Sequence, residues 1–143
     1  MASESDGFNL GELLAQLESP NAAARLHGAA VLSAMICKPS RVVHVLIAAL
    51  KDENPSVRKV AALALGNPGT EVQAAVAALI EATQDPHDGV RRRAVMALGE
   101  IGPKAGAAIP TLQNALKDAN DGVRTMAAWA LDRIDPPGQA WAA

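Results

Sequence analysis

Aromatic residues are nearly missing from this chain: two Trp, one Phe and no Tyr among 143 residues. A core without rings must be assembled from Ala, Leu, Val, Ile and Met, and nucleic-acid bases find no stacking platform. Cysteine occurs once, at Cys37, which excludes an internal disulfide and with it an oxidised secreted scaffold. An excess of one charge sign is also missing. Thirteen Lys and Arg stand against fifteen Asp and Glu, giving −2 overall and a pI near 5.9. A nucleic-acid binder normally shows a basic excess, so that class is disfavoured. No apolar run reaches the roughly 18 residues of a membrane span. The start, Met1-Ala2-Ser3-Glu4-Ser5-Asp6-Gly7, has neither the basic nor the apolar region of a signal peptide. The expectation is a soluble, cytoplasmic protein with no membrane contact.

What is present is an apolar half of the composition, 50% of residues, with Ala supplying about a fifth of the chain. High hydrophobicity with low net charge disfavours disorder, and Ala favours helices above all. The length suits one domain.

Self-similarity is the dominant signal. Arg25, Arg58, Arg91 and Arg124 recur every 33 residues, and the same step links Asp52, Asp85 and Asp118. Leu32, Leu65, Leu98 and Leu131 keep step, as do Leu13, Leu46, Leu79 and Leu112. Val43, Val76 and Ile109 form another apolar column headed by Leu10. Four units are expected, at about 9–37, 38–70, 71–103 and 104–136, between a flexible acidic tail (1–8) and a C-terminal tail (137–143).

Each unit reads as two helices. Ser40 is placed to cap one whose Val43, Leu46, Ile47 and Leu50 share a face. Asp52-Glu53-Asn54-Pro55 breaks it, with Asn54 as the next N-cap and Pro55 opening a helix that carries Val57, Ala61, Ala64 and Leu65 inward. His87 holds the cap column of Asn21, Asn54 and Asn120. Gly69 and Gly102 stand where left-handed helix ends belong. Strand signals are absent.

Within the units one phrase returns: Leu50-Lys51-Asp52, Val57-Arg58, Ala61-Ala62-Leu63-Ala64-Leu65. It comes back from Asp85 through Val90-Arg91 to Ala97-Leu98, and from Leu116-Lys117-Asp118 through Val123-Arg124 to Ala130-Leu131. The phrase resembles HEAT repeats, especially the short bacterial kind seen in phycobilisome-lyase-like proteins, and the resemblance covers nearly the whole chain. It implies an all-α, right-handed α-solenoid, armadillo-like, of four stacked two-helix layers about 40 Å long. It is specific for the fold and for no activity. Tetratricopeptide and ankyrin signatures are missing.

The resemblance also implies a ladder between neighbouring units, made by Asp52, Asp85 and Asp118 with Arg58, Arg91 and Arg124. Ser19 stands where the first unit should have its acid, so Arg25 is expected to lack an ionic partner. An anion site is the functional alternative for these arginines.

In such an array the second helices line the concave surface, and the columns that vary are free for a partner. One column runs Leu63, Met96, Trp129, flanked by Lys59, Arg92, Arg93 and Thr125, with Asn67, Glu100 and Arg133 a turn further on. Trp, Met and Arg are enriched at interfaces; the plainer reading is that these side chains pack between helices. Arg91-Arg92-Arg93 point in three directions on a helix, so the triplet makes no nucleic-acid stripe.

Chemistry is thin. His27, His44 and His87 lie in different units without metal-ligand spacing, and no His-Glu pair suggests a di-iron centre. Cys37, beside Lys38, reads as a semi-buried thiol rather than a reactive one. Gly66 and Gly99 read as close-packing or helix-end glycines. No enzyme activity, metal or cofactor is expected. The function expected is a scaffold that binds a protein or peptide on the concave ridge. The alternatives are a bilin-lyase-like or chaperone-like accessory subunit and, well behind, nucleic-acid binding. The apolar first unit (Leu10, Leu13, Leu14, Leu17) and Trp141 make self-association a further possibility.

Overall fold

The computed structural model describes residues 9–136. The two expected tails, Trp141 included, lie outside the described residues. Within them the helices come in pairs. α1 (Leu10–Leu17) and α2 (Ala22–Ser33) form the first pair, α3 (Ser40–Ala49) and α4 (Pro55–Ala64) the second. α5 (Val72–Ala82) with α6 (Asp88–Ile101), and α7 (Ile109–Ala115) with α8 (Asp121–Ile134), complete the series. No strand occurs among the described residues. A 3-10 segment, Gly102–Ala108, stands ahead of α7. Gly102, at φ +79°, turns the chain out of α6 in a conformation that favours glycine, and Pro103 follows it.

Every second helix starts at a side-chain cap. Asn21, Asn54 and Asn120 accept from the amides of Ala23, Ser56 and Gly122 at 2.8 Å each. His87 does the same through Nδ1 for the Gly89 amide, at 3.1 Å. Such caps contribute about 1 kcal/mol each. First helices are capped less regularly. Asn9 caps α1, whereas Pro39 and Glu71 make no side-chain cap bond at α3 and α5. Ser40, expected to be a cap, is instead the first residue of α3, because Pro39 with ψ 153° already occupies the cap position. Its hydroxyl donates to Glu71 Oε1 at 2.6 Å and ties α3 to the start of α5.

Packing follows from side-chain size. Leu46, Leu79 and Leu112 from first helices meet Leu32, Leu65 and Leu98 from second helices in one continuous core. Ala29, Ala61, Ala62, Ala94, Ala127 and Ala130 are fully buried and let neighbouring second helices approach closely. α2, α4, α6 and α8 therefore stack side by side, while α1, α3 and α5 touch only sparsely. Between the splayed first helices, clefts of about 450 and 520 Å³ open beside the intra-unit turns. The molecule is an α-solenoid held together mainly along its second helices.

Candidate functional site

Two sets of residues were candidates, the repeated aspartates and arginines and the varying ridge columns, and the fold places them on different surfaces. The aspartates and arginines lie at the turns within the units. Arg25, Arg58 and Arg91 each reach forward to the aspartate 27 residues later. Arg25 Nε donates to Asp52 Oδ2 at 2.7 Å, Arg58 Nε to Asp85 Oδ2 at 2.8 Å, and Arg91 Nε to Asp118 Oδ2 at 2.9 Å. Nη2 of each donates to the second carboxylate oxygen, making every contact a fork. Nη1 reaches back to a carbonyl six residues earlier, on Ser19, Asp52 and Asp85.

This geometry corrects the expectation for the first unit. Arg25 does not lack an ionic partner, because the ladder runs from each arginine to the following unit. The last arginine is the one without a forward aspartate among the described residues. Arg124 donates through Nη1 to Asp118 O at 2.6 Å and pairs with Asp121 one turn away. Ser19 keeps the local half of the aspartate's work. Its hydroxyl accepts the Asn21 amide at 3.1 Å, as Asp52, Asp85 and Asp118 accept the amides of Asn54, His87 and Asn120.

The ladder is shielded and its ionisation responds. The Arg91 fork holds the Asp118 carboxyl below its ordinary value against burial, with help from the Asn120 amide. At Asp52 burial is the strongest single influence and pushes upward. The bonds from Arg25 and the Asn54 amide, with the charges of Arg25 and Arg58, outweigh it and leave the carboxyl low. Asp52 and Asp118 in turn hold the Arg25 and Arg91 guanidiniums above their ordinary value. The donors of Arg25, Arg58 and Arg91 are engaged on all sides, which leaves no fork for an outside anion.

The second set lies along the second helices. Leu63 and Trp129 are 38% and 40% exposed, and Met96 between them is half-buried. Met96, Glu100, Trp129 and Arg133 converge, with Met126, on a shallow cleft of about 330 Å³. The Arg133 guanidinium lies 5.3 Å from the Trp129 ring centroid and donates through Nε to Gly99 O at 3.0 Å. Gly99 is the bed beneath this pair: a Cβ there would stand 2.5 Å from Trp129 Cζ3. Gly66 plays the matching part under Glu100, whose carboxylate would meet a Cβ at 2.6 Å. The repeated glycines were the signal for this arrangement, and Met126 stands three residues before Trp129, a helical spacing that sets the two side by side.

The remaining ridge residues are more dispersed. Lys59 and Arg92 lay their stems over Gly89 and Gly122 at the starts of α6 and α8. Arg93 and Thr125 are exposed. Asn67 is committed elsewhere, since Nδ2 donates to Ile36 O at 2.9 Å and fastens the turn between the first two units. In that turn Cys37 is exposed, not semi-buried. Lys38 takes the interior place instead: it is 3% exposed, donates to Met35 O at 2.9 Å, and burial pushes its ammonium pKa down. The long lysine stem lies inside while its ammonium reaches the Met35 carbonyl.

Among the described residues no cluster of three or more His, Cys, Asp or Glu could hold a metal, and no helix is long and apolar enough to cross a membrane. Fold and surface together define a repeat solenoid with an exposed, partly apolar ridge. The chain belongs to the HEAT repeat family, whose model matches residues 10–92 and 76–140. Among solved structures it is similar to the complex of CpcE and CpcF of phycocyanin lyase from Nostoc sp. PCC7120. That match has 29% identity, covers 84% of this chain and 78% of the other, and has a TM-score of 0.74. A designed armadillo repeat protein in complex with the peptide (KR)4 matches at 20% identity, 88% and 64% coverage and TM-score 0.70. An engineered protein matches at 22% identity and TM-score 0.70; 89% of this chain spans 63% of its length. These last two likenesses show the fold alone. No curated protein matches the sequence.

Proposed function

We propose that this protein is a non-enzymatic scaffold that binds a partner protein or peptide along its second helices. The observation that carries this reading is the Leu63, Met96, Trp129 column, which stays accessible although the adjoining Ala62, Ala64, Val95, Ala97 and Ala130 are buried. Closer packing of the second helices than of the first favours a stack bent toward the second helices, which supports a concave position for the ridge. An apolar strip with an Arg-braced tryptophan and flanking Lys59, Arg92 and Arg93 has the composition of an interface centre. It also satisfies the rule that exposed apolar patches mark contact sites.

The test is capture from the native host by the wild-type chain and by a Met96→Ala, Trp129→Ala variant, with helicity followed by circular dichroism. The partner should be lost from the variant while helicity is unchanged. A partner retained at full yield moves the binding site off the ridge.

A second reading, an accessory role in bilin attachment, is favoured by the 29% identity to the phycocyanin lyase complex. Arg92 and Arg93 are available for propionate groups. Co-expression with a bilin pathway distinguishes it: a coloured, stoichiometric complex favours this role, and a colourless chain discards it.

A further inference from the structure

The fourth unit presents, column by column, the face with which each earlier unit holds its successor. Ala29, Ala62 and Val95 are fully buried in the first three units, as are Leu32, Leu65 and Leu98. Their counterparts in α8 differ: Ala128 is exposed and Leu131 half-buried. Leu50, covered by the third unit, is 8% exposed, whereas Leu116 in the same column is 40% exposed. The arginine side chains follow the same rule. Arg25, Arg58 and Arg91 are 9%, 14% and 18% exposed, and Arg124 is 40% exposed.

Arg124 is nevertheless held in the ladder pose. Its Nη1 bonds Asp118 O just as the others bond the carbonyl six residues back. Among the described residues its forward side meets only Asp121 of its own helix, a side chain 90% exposed. An apolar strip beside a pre-positioned guanidinium is half of a unit-to-unit interface.

We propose that this C-terminal face docks a HEAT-type layer of a partner protein, one that carries an aspartate in the turn between its two helices. The carboxylate would take the Arg124 fork, as Asp52, Asp85 and Asp118 take those of Arg25, Arg58 and Arg91. A second copy of this chain, stacked head to tail, is the wrong occupant. Its leading edge carries Ser19 in the aspartate column, and the serine keeps only the turn-forming bond to the Asn21 amide. Covering Arg124 without supplying a carboxylate buries an uncompensated charge, which disfavours self-stacking.

The probe is this chain with Ser19→Asp, which completes a leading edge, and Arg124→Ala, which disables its own trailing face. Mixed with the wild-type chain in sedimentation velocity, it should form a 1:1 complex, while the wild type alone stays monomeric. Mixed with a chain carrying Arg124→Ala, the complex should weaken about tenfold or more, the loss expected for a charged hydrogen-bonded pair. Ala128→Glu on the wild-type partner should weaken it too, with circular dichroism unchanged in all chains. Absence of a 1:1 complex overturns the proposal, as does a complex indifferent to Arg124→Ala. Wild-type dimers would make a second copy the occupant and overturn it. So would a complex that forms only after removal of residues 137–143, which would place those residues on the face.

Discussion

The guanidinium of Arg58 grips the carboxylate of Asp85 with two hydrogen bonds, 2.8 and 3.2 Å long, across the boundary between the second and third units. The same aspartate accepts the His87 amide at 2.9 Å and thereby shapes the turn that leads into α6. One side chain thus couples the start of a helix to the stacking of a layer, and it recurs at every internal boundary. In a solenoid, stability is a sum of units and nearest-neighbour interfaces, so each such contact acts on the whole stack.

Replacing Arg58 or Arg91 by Ala should therefore destabilise the protein by about 1–3 kcal/mol, because each leaves a shielded carboxylate without its fork. Urea unfolding followed by circular dichroism reads the loss. Unchanged midpoints in both variants would remove the ladder from the account of stability.

Acid should weaken the same contacts. The folded carboxyls of Asp52 and Asp118 lie below their ordinary value, so as pH falls the unfolded chain takes up protons first. Their contribution is complete above the ordinary carboxylate range near pH 4 and is lost as pH drops through the lower folded values. Urea midpoints between neutral pH and about pH 2.5 should fall accordingly. The Asp118→Asn variant should show a shallower fall; an identical slope would contradict the linkage.

Gly99 and Gly66 should respond differently to Ala. A Cβ at Gly99 would lie 2.5 Å from the Trp129 ring and 3.0 Å from the Ala130 backbone, so overpacking of about 1–3 kcal/mol is expected, with a shift in tryptophan fluorescence. At Gly66 the nearest atom is the mobile end of Glu100, and the change should stay within about 0.5 kcal/mol. Equal effects at the two sites would disprove the role given to Gly99 as the bed of the ring.

Cys37 should react stoichiometrically with a disulfide reagent in the native protein, since the thiol is exposed. Labelling that requires denaturant would place the side chain inside.

Much of this molecule was legible before folding. The 33-residue columns, the Asn caps and Pro55 report local geometry and repeated contacts, both of which a linear pattern records directly. The turn at residues 35–39 was not, since two adjacent side chains, Cys37 and Lys38, exchange the places that polarity alone assigns them. Only the path of the backbone decides which of two neighbours faces inward.

The ladder shows the same division. Residue spacing determined that an arginine recurs in every unit and an aspartate in every unit after the first, because similar layers repeat similar chemistry. Which arginine meets which aspartate depends on the offset between layers, a property of helix packing that spacing within one unit does not contain. The scarcity of aromatic residues was likewise a matter of sequence, and it made Trp129 conspicuous. That Trp129 lies over Gly99 beneath Arg133, with 40% of its surface exposed, was decided by the close approach of α6 and α8.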